Sequence, residues 1–92
     1  MKNISLDILR AFVVFADSEN ITKAAEKLNI SQPSLSVQLA KLEEALPFSP
    51  FSMSGKKKLL NPYGQALYKS LNLKIYDLQK QVETVTLLFS DA

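Results

Sequence analysis

Apolar residues recur along this 92-residue chain with helical spacing, in four stretches separated by polar or proline-containing breaks. In the first, Leu6, Leu9, Phe12, Val13 and Ala16 mark one face of a helix over 6–17, with Ser5 placed to cap it. A second, shorter helix is expected over 22–28, with Ile21 just before it and Ala25 and Leu28 pointing to the same core. The third runs over 32–46 with Leu35, Leu39, Leu42 and Leu46 as its buried stripe, and Pro47 stops it. The fourth is long, 62–89, with Asn61 as cap and Pro62 at its first position. Along it Tyr68, Leu71, Ile75, Leu78, Val82, Val85 and Phe89 are spaced alternately three and four residues apart, a heptad seam. At about 1.5 Å per residue such a helix is roughly 40 Å long, more than a small three-helix head covers. Much of the seam is therefore expected to meet a second chain, while Leu73, Tyr76, Leu87 and Leu88 lie off it and widen the apolar surface.

The junction of the second and third helices is the most specific part of the pattern. Small residues at Ala24 and Ala25 allow close helix approach, Asn29 suits the left-handed conformation that ends a helix, and Ser31 suits the cap of the next one, with Pro33 in its first turn. This is the layout of a helix-turn-helix, whose second helix enters a DNA major groove. With the leucine stripe turned inward, Gln32, Ser36, Val37, Ala40 and Lys41 are left for solvent, a small and nearly neutral face. Its acidic residues, Glu43 and Glu44, sit only near the C-terminal end, away from the half that would meet phosphates. Residues 47–60 contain two prolines and a Ser54-Gly55 turn signal, and read as a loop or short hairpin anchored by Phe48, Phe51 and Leu59. A hairpin in that place is a wing, with Lys56, Lys57 and Lys58 near its tip or on its returning strand.

Composition narrows the function classes. The chain has no cysteine and no histidine, which excludes a disulfide scaffold, a Cys/His zinc site and a Cys-His or Ser-His catalytic pair. No cluster combines a base, a nucleophile and a metal site, so neither an enzyme nor a cofactor is expected. The apolar runs are too short to span a bilayer and the N-terminus lacks a signal-peptide core, so the expected setting is cytoplasmic, without a membrane partner. Net charge is only +2, but residues 1–61 hold eight basic and six acidic residues, whereas 62–92 hold three of each. The cationic surplus lies in the head. Three adjacent lysines also occur in ordinary solvated loops, so this cluster gains meaning only from its position beside the third helix.

The order helix, helix-turn-helix, wing, long helix resembles the N-terminal DNA-binding region of LysR-type transcriptional regulators. The resemblance spans nearly the whole chain. It is carried by Thr22-x-Ala24-Ala25-x-x-Leu28-x-x-Ser31-Gln32-Pro33-Ser34-Leu35-Ser36-x-Gln38-Leu39-x-x-Leu42-Glu43, where the family usually has T-x-A-A-x-x-L-x-x-S-Q-P-A-L-S-x-Q-I-x-x-L-E. Leu60-Asn61-Pro62-Tyr63-Gly64 matches the L-T-x-x-G that closes the wing, with Asn61 in place of threonine. Two cations are missing. Val37 stands where the family commonly has arginine, and in the run L-G-x-x-L-F-x-R only Leu46 and Phe51 survive, with Met53 at the arginine position. Each lost phosphate contact would flatten the salt dependence of binding by about one counterion.

The resemblance implies a mainly α, winged helix-turn-helix head over 1–61 and a dimerisation helix over 62–92, the two helices of a homodimer pairing antiparallel. It further implies sequence-specific binding to double-stranded DNA. Gln32 is then the first choice for a base contact, since its amide matches adenine N6 and N7. Pro33 and Val37 offer apolar contact to a thymine methyl, Ser34, Ser36 and Gln38 suit phosphates or bases, and Lys41 a phosphate. Thr22 and Lys23 would fix the DNA backbone, and Lys56, Lys57 and Lys58 would track phosphates beside a minor groove. Family members usually continue into a larger effector-binding domain, so an effector ligand is expected only if the whole protein has one; a short natural protein is the alternative. A competing reading, favoured by Val37 and Met53, is a helical protein-interaction module built on the same head.

Overall fold

The computed structural model describes residues 3–90, which form α1 (Leu6–Asp17), α2 (Ile21–Leu28), α3 (Gln32–Ala45), a hairpin of β1 (Phe51–Ser54) and β2 (Lys57–Leu60), and α4 (Pro62–Ser90). Local chemistry sets most boundaries. Ser5 caps α1 by accepting from the Ile8 amide at 3.2 Å. Asn20 caps α2 in the same way, its Oδ1 accepting from the Lys23 amide at 2.9 Å, so α2 begins one residue earlier than expected and includes Ile21. Asn29 ends α2 at φ 61°, and the Ile30 amide donates to the Ala25 carbonyl at 3.1 Å, the six-to-one bond of a Schellman close. Ser31 then caps α3 through the Ser34 amide at 3.2 Å. Leu46, expected as the last residue of α3, is instead its extended C-cap.

The core joins all three head helices to the hairpin. Phe12, Leu35, Leu39 and Leu42 are fully enclosed, with Ala11, Val13, Phe15, Ala24, Ala25 and Phe51 around them. Leucines at 35, 39 and 42 behave as their spacing implies. On α1 the buried face is rotated from the expected one: Ala11 and Phe15 are inside, Leu9 and Ala16 are half-buried, and Leu6 is exposed. Leu6 lies in the first turn of α1, beyond the edge of the core.

The wing is a two-stranded antiparallel hairpin with Phe51 opposite Leu60 and Ser54 opposite Lys57. The turn is therefore Gly55-Lys56, one residue beyond the expected Ser54-Gly55. Gly55 adopts φ 61° at the first central position, as a type II′ hairpin requires. Phe51 is the anchor: its ring packs 5.9 Å from Phe12 and edge-on 5.8 Å from Phe15. Two other expected anchors do not hold. Phe48 is 67% exposed, its ring T-shaped against Tyr63, and Leu59 lies on the strand face opposite Phe51. Pro50, fully enclosed, and Leu60, half-buried, take their places.

Asn61 fastens the wing to α4. Its backbone amide donates to the Pro50 carbonyl at 3.1 Å, and its side-chain amide donates to the Ser49 and Phe51 carbonyls at 2.7 and 3.3 Å. Its Oδ1 accepts from the Gly64 amide at 2.8 Å, so one side chain caps the helix and closes the wing root. A threonine cap has a single hydroxyl proton, so besides accepting from the helix it could donate to one of these carbonyls but not to both. Gly64 permits this close approach: a Cβ there would lie 2.1 Å from the Pro50 carbonyl oxygen. Glu43, near the end of α3, accepts from the Ser49 hydroxyl at the same root.

From this root α4 leaves as a 29-residue helix, and the molecule measures 55 × 28 × 20 Å. Leu67, Tyr68, Leu71 and Ile75 pack on the head, and the Tyr68 hydroxyl donates to the Asp17 carboxylate at the end of α1. That bond, with some burial and the nearby negative charge, raises the Tyr68 phenol above its ordinary pKa of 10.0. The first half of the seam is thus half-buried against its own chain, and the part left for a partner begins at Leu78. Leu78, Val82, Val85 and Phe89 are exposed, as are Leu73, Leu87 and Leu88 beside them; the Tyr76 side chain and residues 91–92 lie outside the described part.

Candidate nucleic-acid interface

Between α3, the α1–α2 turn and the wing lies an open groove of about 590 Å³. Three sources build its walls. Gln32 and Ser36 come from the N-terminal half of α3, one turn apart on the same face. Ser18, Glu19, Asn20 and Ile21 come from the turn that leads into α2. Met53, Lys56, Lys57, Lys58 and Leu59 come from the hairpin. A polar helix face, a helix N-terminus with its positive dipole end, and a cationic hairpin thus converge on one concavity.

The lysines are not equivalent. Lys56 is at the turn, and Lys57 stands on the strand face away from the core. Lys58 pairs with Met53 on the inner face, and its ammonium sits 4.6 Å from the centre of the Phe51 ring. This cation–π contact ties Lys58 to the wing's own anchor, leaving Lys56 and Lys57 as the projecting charges.

On α3, Gln32, Pro33, Ser34, Ser36 and Val37 are exposed, and Gln38 is half-buried. The Ser34 hydroxyl oxygen accepts from the Ser31 hydroxyl at 2.9 Å, so part of its hydrogen-bonding capacity serves the cap. Lys41 does not join the wing groove; it lines a smaller hollow with Asn3, Ile4, Ile8 and Glu44. At the start of α2, Thr22 donates its hydroxyl proton to Gln32 Oε1 at 3.0 Å. Lys23 pairs with Glu19 at 2.7 Å, an exposed i,i+4 bridge of the kind worth about 0–1 kcal/mol, which a phosphate could displace. Val37 is 53% exposed and Met53 59%, so neither is a core residue in disguise.

Sequence reasoning missed Glu19 and Asn20. Both had readable signals: Asn20 is a capping residue immediately before the apolar period of α2, and Glu19 stands four residues ahead of Lys23. Starting α2 at Thr22 hid both.

Fold and groove together define the class, a winged helix-turn-helix with a long trailing helix. Residues 6–65 match the family model for the bacterial regulatory helix-turn-helix protein, lysR family, and the chain belongs to that family. It is 36% identical over 70 residues to the HTH-type transcriptional regulator CysL of Bacillus subtilis, covering 76% of this chain and 23% of CysL. It is 29% identical over 86 residues to the RuBisCO operon transcriptional regulator of Allochromatium vinosum, covering 90% of this chain and 28% of that one. The chain therefore spans about a quarter of the length of these relatives. Among solved structures, the DNA-binding domain of BenM in complex with catB site 1 DNA superposes with a TM-score of 0.85 at 30% identity, covering 96% of this chain and 99% of that one. The oxidised form of Corynebacterium glutamicum OxyR superposes at 0.82, also 30% identical, covering 92% of this chain and 26% of OxyR. Among the described residues, no helix is long and apolar enough to cross a membrane.

Proposed function

We propose that this chain is the DNA-binding part of a dimeric transcriptional regulator that recognises double-stranded DNA by sequence and works in the cytoplasm. The observation that carries the reading is the convergence of Gln32 and Ser36 with the wing lysines on one groove. The likeness to the DNA-bound BenM domain over almost its full length supports it. In this reading α3 presents Gln32, Pro33, Ser36 and Val37 to base edges. Thr22 stands behind Gln32, to which its hydroxyl donates; Lys23, Ser34, Gln38 and Lys41 hold the DNA backbone, and Lys56 and Lys57, with Lys58 behind them, follow the adjacent strand. Residues 1–61 form the reading head and 62–92 the dimerisation segment, with Leu78, Val82, Val85 and Phe89 facing the partner helix. Tyr68, Leu71 and Ile75 set the angle at which that helix leaves the head. An effector ligand enters only if the whole protein carries a further domain to bind it, and no enzymatic step is assigned.

Selection from random duplex DNA followed by titration tests this. Gln32→Ala should cost about 1–3 kcal/mol on the selected site and little on random DNA. Lys56→Ala with Lys57→Ala should weaken both and flatten the salt slope. The absence of any salt-dependent DNA binding would overturn the reading.

A second reading, a head adapted to protein contacts, draws on the exposure of Val37 and Met53 where the family has arginines. Met53→Arg and Val37→Arg separate the two. On a DNA-facing surface each regained phosphate contact steepens the log-affinity against log-salt slope by about 0.9 on duplex DNA. Unchanged slopes in both folded variants would favour the protein-contact reading.

A further inference from the structure

Thr22 and Gln32 are ten residues apart and on different helices, yet their exposed side chains meet at 3.0 Å, the threonine hydroxyl donating to Gln32 Oε1. Both residues sit at helix starts, Thr22 in the first turn of α2 and Gln32 as the first residue of α3. The turn that joins the two helices is closed by Asn29 in its left-handed conformation and by Ser31 capping α3. Resting on the DNA-binding reading, we infer that Thr22 is a specificity-determining positioning residue that selects which end of the Gln32 amide leads toward the bases.

An unrestrained glutamine offers an acceptor and a donor side by side, which suits adenine N7 and N6. With its oxygen held by Thr22, the amide plane is set and the two Nε2 protons are the groups left to approach the DNA. Two donors on one nitrogen match a base edge that presents acceptors. In the major groove guanine offers two adjacent ones, O6 and N7, whereas adenine pairs its N7 with an amino donor that meets the same nitrogen unfavourably. The clamp therefore turns Gln32 from an adenine reader into a guanine reader. The threonine methyl has no part in this, so serine should substitute for threonine and valine should not.

The test is selection from random duplex DNA with the wild-type chain and with Thr22→Val, Thr22→Ser and Gln32→Ala, followed by titration on matched guanine and adenine sites. The position whose preference disappears in Gln32→Ala should carry guanine in the wild-type motif. Thr22→Val should reduce the guanine-over-adenine ratio there by at least about fivefold, with melting temperature unchanged and other positions unaffected. Thr22→Ser should retain the preference, and Thr22→Val added to Gln32→Ala should change nothing further at that position. Adenine at that position in the wild-type motif overturns the inference. So does an intact preference in Thr22→Val, or an equal loss on all sequences with a flatter salt slope, which would make Thr22 a phosphate contact. If the wild-type chain binds no duplex DNA, the proposed function fails and the clamp with it. If it binds and Thr22→Val reads the same base, only the clamp fails.

Discussion

The two halves of α4 carry one apolar repeat but have different surroundings. Tyr68, Leu71 and Ile75 pack against the head, whereas Leu78, Val82, Val85 and Phe89, in the same spacing, lie against solvent in the single chain. Nothing in the period distinguishes them. What separates them is the reach of the head, which is only as wide as α1 and the wing root. A repeat therefore states that a helix face will be covered and leaves the cover to geometry.

The largest effect that would sharpen this contrast is in the head. Phe12 is fully enclosed and packs at a tilt against the wing anchor Phe51, so Phe12→Ala should cost about 3–5 kcal/mol in urea unfolding. Leu73→Ala, on an exposed and off-seam position of α4, should stay within about 0.5 kcal/mol. Similar costs for both would mean that the exposed half is as embedded as the core.

Gly64 lies where head and helix join. Gly64→Ala places a methyl group against the Pro50 carbonyl, a backbone atom that cannot swing aside, and should cost about 1–3 kcal/mol in the same measurement. A neutral result would show that the wing root shifts freely against α4.

Charging the free half of the seam leaves the fold alone and acts on association. Leu78→Glu with Val82→Glu should convert the expected dimer to a monomer in sedimentation, with thermal unfolding of the head retained. A wild-type chain that sediments as a monomer at tens of micromolar would break the comparison, since the exposed half would then have no cover in a second copy.

The smallest effect concerns the contact that ties the first half of α4 to α1. The Asp17 bond favours the protonated Tyr68, so the stability it adds is complete below the ordinary tyrosine pKa of 10.0 and is lost as pH rises through the raised folded-state value. Tyr68→Phe should remove a late component of the tyrosinate absorbance titration and lessen the loss of stability at alkaline pH. No change in that titration would place Tyr68 away from Asp17.

Most of the fold is legible in the sequence. Caps, breakers and turn residues act through bonds between near neighbours, so Ser5, Asn29, Ser31, Pro47 and Asn61 announced their roles in a few residues of sequence. The third helix was equally clear because Leu35, Leu39 and Leu42 leave no choice of inner face. The candidate site could be read as a set of positions on α2, α3 and the hairpin, and the family resemblance rested on the helix-turn-helix and on the residues that close the wing. The rest depended on which surfaces meet. Phe48 and Phe51 are the same residue type three apart, and only the entry angle of the hairpin sends Phe51 between Phe12 and Phe15 while Phe48 stays outside. The turn register decides that Lys58 lies over that ring and that Lys56 and Lys57 project. The closeness of two helix starts brings Thr22 to Gln32, and the width of the head divides the α4 seam. Local hydrogen-bonding and periodicity are written in adjacent residues, but contacts between distant segments follow from the angles and separations at which whole elements pack.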